Sequence, residues 1–190
     1  MAYLSKKKLK AMGFKAVGEN VKVSDKASIY NPESIVLGDY SRIDDFSVLS
    51  GKVSIGKYCH VTTMCLVAGG APGITLSDFC TLAYGVKIFA QSDDYSGSTM
   101  VNSLVPKKFK DEYLAEVILE RQVIVGAGSI IFPGVTIGEG CSVGAMTLVN
   151  KGTDPWGIYV GNPARRIKNR KQDLLELEAE FLKELKNDSI

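Results

Sequence analysis

The groups in this chain that could move a proton are few. Its one imidazole is His60, and two adjacent carboxylates, Asp93 and Asp94, open the run Asp93-Asp94-Tyr95-Ser96-Gly97. A positioned imidazole is the strong base that a hydroxyl nucleophile needs. A carboxylate is too weak for that task, yet it can hold an amine and accept or pass on its proton. Asp-Asp-Tyr-Ser-Gly is also ordinary turn chemistry, and a histidine at a chain corner can be idle. Asp93 is the first candidate, Asp94 lies beside it, and His60 is the runner-up. Farther on, Arg165, Arg166, Lys168, Arg170 and Lys171 are cations suited to phosphate oxygens or to a solvated face. The four cysteines, Cys59, Cys65, Cys80 and Cys141, could mark a metal site or disulfides, or could serve as compact hydrophobes. With a single histidine to join them, no metal is expected.

The elements that must carry these groups follow from a six-residue period. Aliphatic residues recur as Val17, Val23, Ile29; as Leu37, Ile43, Leu49, Ile55, Val61, Val67; as Leu76, Leu82, Ile88; and as Leu119, Val125, Ile131, Ile137, Val143, Val149. The fourth residue after each is Val, Ala, Ser, Cys or Thr, with Glu33 the exception. All four cysteines occupy that small slot, so packing explains them. A period of six fits neither an amphipathic helix nor a hairpin meander. It fits an all-β solenoid of triangular coils, three hexads to a coil. Six coils at the inter-strand spacing give a prism roughly 29 Å tall.

The period breaks twice. Three surplus residues fall near Gly69-Gly70-Ala71-Pro72-Gly73, a run that lacks the Gly-Lys-Ser/Thr continuation of a phosphate-binding loop. The pattern is then lost over residues 91–116, a polar excursion of the length that is usually functional. Residues 1–16 carry a short basic helix that stops at Gly13, residues 17–165 form the solenoid, and residues 166–190 carry a helix. That helix places Leu174, Leu177, Phe181 and Leu185 on one face. It must lie on its own prism or on a neighbour. Charge is nearly balanced, 23 Lys+Arg against 21 Asp+Glu, which argues against a nucleic-acid binder. No apolar run spans a bilayer, and the first ten residues lack the apolar core of a signal peptide. A cytoplasmic protein is expected.

The hexads, the excursion, and the close Val149-Asn150-Lys151 followed by Gly161-Asn162-Pro163-Ala164-Arg165 resemble the hexapeptide-repeat acyltransferases of the maltose, galactoside and xenobiotic acetyltransferase type. The resemblance spans nearly the whole chain. Asp93-Asp94-Tyr95-Ser96-Gly97 is most similar to the sub-group acting on sugars in surface-polysaccharide biosynthesis. It implies a left-handed parallel β-helix, a homotrimer, and acetyl-CoA or another acyl-CoA lying between neighbouring prisms. Residue by residue, it implies a pantetheine arm beside Ala127 and Ala145. If the eighteen-residue register persists, Pro163 continues their column. Asn150 and Lys151 match a pair near the coenzyme, and Arg165 and Lys168 match cations near its phosphates.

One departure bears on the substrate. The catalytic histidine of the galactoside and maltose enzymes follows the first strand of the excursion, and Phe89-Ala90-Gln91-Ser92 aligned with that lead puts Asp93 in its place. Counting hexads puts His60 and Asp93 on different edges of one prism, so the two could meet only across a subunit boundary. An amine needs less basic help than a hydroxyl, since an α-amine titrates at about 7.7–8.0. The expected reaction is therefore acylation of the amino group of a nucleotide-linked amino sugar. O-acetylation of a saccharide hydroxyl is the alternative. A γ-type carbonic anhydrase would need three imidazoles for its zinc, and an ice-binding solenoid would show a threonine ladder without an excursion.

Overall fold

The computed structural model describes residues 2–187. Its architecture is a parallel β-solenoid flanked by two helices, α1 (Lys6–Ala11) and α2 (Leu174–Asn187). Short strands stack into three columns. The first runs Val17, Leu37, Ile55, Leu76, Leu119, Ile137. The second runs Val23, Ile43, Val61, Leu82, Val125, Val143, Tyr159. The third runs Ile29, Leu49, Val67, Ile88, Ile131, Val149. All eighteen periodic aliphatic residues thus stand in strands, in the order the sequence sets, and nearly all of them are fully buried. The strands Val48–Ile55 and Leu66–Leu76 bend round a corner, so the first and third faces are one continuous sheet there.

Two surplus segments shift the small slot. Ile35 and Ile74 both pair with Val53, and Val117 pairs with Ile74. Ile35 therefore fills the slot that strict counting gives to Glu33, and Ile74 the slot given to Ala71, which is exposed. The slot before the first column takes Ile or Val. Those before the second and third take Ser, Cys, Val, Thr and Ala, nearly all buried. Each cysteine thiol donates to a carbonyl one coil above: Cys59 to Ser77 at 3.0 Å, Cys65 to Ala83 at 3.2 Å, Cys80 to Glu120 at 3.1 Å and Cys141 to Asp154 at 3.0 Å. Burial pushes the Cys65 thiol up from its ordinary range.

The edge between the first and second columns turns through left-handed residues Asn20, Tyr40, Tyr58, Phe79, Gln122, Gly140 and Trp156. Gly140 is required there, since a Cβ would lie 2.4 Å from the Trp156 ring. Tyr40, Tyr58 and Phe79 stack face to face at 4.9 and 5.2 Å. Helix α2 lies on this ladder: Phe181 meets Tyr58 edge-on at 5.2 Å, and Glu178 binds Arg121 and Gln122. The C-terminal helix thus packs on its own prism. It starts later than the sequence suggested, because Arg165–Asn169 is a strand antiparallel to Gly157–Val160. Helix α1 is capped by the Ser5 side chain and followed by Gly13 in the left-handed region. Met1 and residues 188–190 of the expected end segments lie outside the described residues.

Candidate functional site

The edge between the second and third columns carries a second ladder. Gly128 donates its amide to the Tyr84 carbonyl at 2.9 Å, and Met146 donates to the Ala127 carbonyl at 2.8 Å. Tyr84, Ala127 and Ala145 therefore stack one above the other. Above Ala145 the register changes. Val143 pairs with Tyr159, sixteen residues on rather than eighteen, because the last coil is two residues shorter. Counted at that spacing Gly161, not Pro163, falls above Ala145, and the column ends there: the Gly161 amide already donates to the Thr147 hydroxyl at 3.2 Å and its carbonyl accepts from Leu148 at 3.0 Å. Coils touch closely at this edge: a Cβ on Gly126 would lie 2.4 Å from the Ala145 nitrogen. Above Tyr84 the column carries only the small side chains of Ala127 and Ala145 over tightly stacked backbone, a candidate track.

At the top of this track the returning strand supplies cations. Val160 pairs with Arg165 and Tyr159 with Arg166, but Ile158 pairs with Lys168, so Ile167 is an extra residue. The bulge restores Arg165 and Lys168 to one face of the strand, where strict alternation would oppose them. Both are exposed, and Arg165 makes only a 3.4 Å contact to the Ala164 carbonyl. The remaining cations separate from them. Arg166 binds Asn169 and the Pro155 carbonyl, and Arg170 donates to the carbonyls of Gln122 at 2.7 Å and Gly140 at 3.0 Å. Asn150 and Lys151 follow the strand Leu148–Val149 and are exposed.

The excursion leaves the third column and returns to the first. Its base is a two-stranded antiparallel clip in which Gln91 pairs with Leu114 and Ser92 with Tyr113. Beyond the clip, Asp93, Asp94, Tyr95, Asp111, Glu112, Tyr113 and Leu114 line an open groove of roughly 480 Å³. Asp93 is partly exposed and accepts weakly from the Asn102 amide at 3.4 Å. Lys110 is buried beneath, 2.8 Å from Glu112 and 3.9 Å from Asp93. Asp94 serves the loop itself. Its oxygens accept from the amides of Ser96 at 2.8 Å and Thr99 at 3.0 Å, and from the Thr99 hydroxyl at 3.1 Å. The Ser96 side chain and amide, with Thr99, hold its carboxyl down at about 2.

His60 stands on the second column, two coils below Ile124. Its Nε2 lies 2.8 Å from Asp44, whose buried carboxylate also receives Arg42 Nε at 2.6 Å and a second guanidinium nitrogen at 3.0 Å. The imidazole is thus oriented, not idle, but it shares no ladder with the excursion. Asp93 and His60 occupy different parts of one chain, as the hexad count requires. Among the described residues, no three His, Cys, Asp or Glu side chains gather around a common point that could hold a metal.

No family model matches the chain. A curated relative, dTDP-4-amino-4,6-dideoxy-D-glucose acyltransferase of Escherichia coli, is 40% identical over 184 residues, covering 95% of both chains. The chain belongs to the hexapeptide-repeat sugar acyltransferases.

Solved relatives agree. AntD, an N-acyltransferase from Bacillus cereus, was solved with dTDP and 3-hydroxybutyryl-CoA; it is 47% identical, with a TM-score of 0.95 over 97% of this chain and 98% of that one. Other AntD structures carry coenzyme A with dTDP-4-amino-4,6-dideoxyglucose, or replace one aspartate by Asn or Ala. This sugar acyltransferase therefore uses the solenoid as an acyl-transfer scaffold, and the ladder of Tyr84, Ala127, Ala145 and Gly161 is its candidate coenzyme track. Two of those four were missed from sequence. Tyr84 lies 43 residues from Ala127, and only looping out the excursion stacks Leu82 under Val125. Gly161 was hidden by the short last coil. Lys110 gave no signal, since nothing in a polar loop marks which lysine turns inward.

Proposed function

We propose that the enzyme transfers an acyl group from acyl-CoA to the amino group of a dTDP-linked amino sugar, in the building of surface polysaccharide. The observation that carries this reading is Asp93, a carboxylate facing an open groove at the position where an imidazole would be needed for a hydroxyl. The amine nitrogen attacks the thioester carbonyl, and the new C–N bond forms as electrons move onto the carbonyl oxygen. Collapse of that intermediate breaks the C–S bond. The proton leaves the nitrogen for Asp93 and passes to the departing thiolate. Proximity supplies much of the rate. The relatives named for dTDP-4-amino-4,6-dideoxyglucose support this substrate class, and their 3-hydroxybutyryl-CoA complex widens the donor from acetyl-CoA to larger acyl groups.

The reading includes a homotrimer whose active sites lie between subunits. The small-residue track and the excursion are on different edges of one prism, so a second copy is needed to bring Asp93 to the thioester. The track edge also exposes Phe46 (55%), Met64 (64%), Tyr84 (68%) and Met146 (77%), an apolar border suited to a covering neighbour. Pro163, displaced from the ladder, keeps no coenzyme contact in this reading; Ala127, Ala145, Asn150, Lys151, Arg165 and Lys168 keep theirs. Among the described residues no helix is long and apolar enough to cross a membrane, and buried free thiols suit the reducing cytoplasm.

The oriented Asp44–His60 pair favours a second reading, transfer to a saccharide hydroxyl with His60 as base. Thiol release is measured with dTDP-amino sugars, free amino sugars and galactosides, for wild type, D93N and H60A. N-acylation with a far larger loss in D93N supports the proposal. Faster turnover of a galactoside, or the larger loss in H60A, overturns it.

A further inference from the structure

A lysine in a surface excursion is normally solvated, and lysines are almost never fully buried unless paired. Only 5% of the Lys110 side chain is exposed. Its ammonium has two carboxylate neighbours: Glu112, at hydrogen-bond distance, and Asp93, at 3.9 Å. Glu112 alone would satisfy the buried charge. Asp93, by contrast, has no strong partner among the described residues, since the other contact of its carboxylate is the 3.4 Å bond from the Asn102 amide. A buried cation beside a half-exposed carboxylate is screened less than a surface pair. It draws Asp93 Oδ1 toward the loop, while Oδ2 accepts from the Asn102 amide, so both oxygens of this groove-lining carboxylate are oriented from the loop side.

We propose that Lys110 is a positioning residue for the acyl transfer, fixing the orientation of Asp93 for the incoming amine. The inference rests on the assignment of Asp93 in the function proposed above. Lys110 itself touches no substrate. Removing its ammonium leaves Asp93 and Glu112 facing each other across the vacated site, so Asp93 loses its attraction to the loop and gains a like-charged neighbour. The effect belongs to the chemical step at the amine and spares the coenzyme.

The test is a mutant cycle on the full-length enzyme, followed by thiol release with acyl-CoA and a dTDP-amino sugar. K110M is expected to lower kcat tenfold or more while leaving the KM for acyl-CoA within about twofold. In a D93N background K110M should cost little further, because both changes act through one carboxylate. K110M/E112Q removes the unpaired Glu112 that could disturb the loop, and its kcat should stay low. Full activity in K110M, losses that add in D93N/K110M, or full recovery in K110M/E112Q each overturn the proposal. An inactive D93N beside an active K110M removes this inference alone; an active D93N removes the underlying assignment and the inference with it.

Discussion

Replacing Arg165 by alanine isolates the coenzyme end of the track. The side chain is exposed and its one internal hydrogen bond is long, 3.4 Å to the neighbouring Ala164 carbonyl. Folding should therefore be unaffected, with an unfolding midpoint equal to that of wild type. A hydrogen bond to a charged partner contributes about 1.5–3 kcal/mol, and exposure to solvent and salt places this one near the lower end. At about 1.4 kcal/mol per decade, the KM for acyl-CoA rises roughly tenfold while kcat holds. The assay is thiol release against acyl-CoA concentration at low and high ionic strength. The gap between R165A and wild type should narrow with salt. Acyl-phosphopantetheine, which lacks the nucleotide phosphates, should serve both proteins equally. An unchanged KM for acyl-CoA, or an equal penalty with the truncated donor, refutes the placement of Arg165.

Three further outcomes follow from the geometry. Ala145→Trp fills the track at an exposed position, so the KM for acyl-CoA should rise at least tenfold with no loss of thermal stability; an unchanged KM would empty the track of its role. Ile43→Ala removes a fully buried rung of the second column and should cost about 2–5 kcal/mol, lowering the melting midpoint by roughly 5–20 °C. Asp94 is held at about 2 in the folded loop, below the ordinary carboxylate value of about 3.9. A depressed value contributes stability above the ordinary range that is lost as pH falls through 2. Pepsin should therefore cut the excursion readily at pH 2 and slowly at pH 4, and D94N should be cut at both.

How much of this was legible depends on the range of the interaction. The hexads announced the columns because each aliphatic residue answers only to its own strand. Short insertions moved the slot off Glu33, which broke the rule, and off Ala71, which satisfied it in type alone; Ile35 and Ile74 fill it by pairing with Val53. The face of the C-terminal helix was legible in part, since Phe181 meets the ladder while Leu177 stays 65% exposed, but its support was not. Tyr40, Tyr58 and Phe79 are separated by 18 and 21 residues and become a docking surface only when stacked.

The chain by itself determined the period, the inward aliphatic set and the small corners. These are local consequences of side-chain size and backbone preference, repeated rung after rung. The folded molecule alone decided that Gly161 caps the track, that a bulge at Ile167 turns Arg165 and Lys168 to one side, and that Lys110 sinks beneath Asp93. Each of these depends on a change of register or a loop closure. Its energy comes from contacts between segments far apart in the chain, which no repeat can encode.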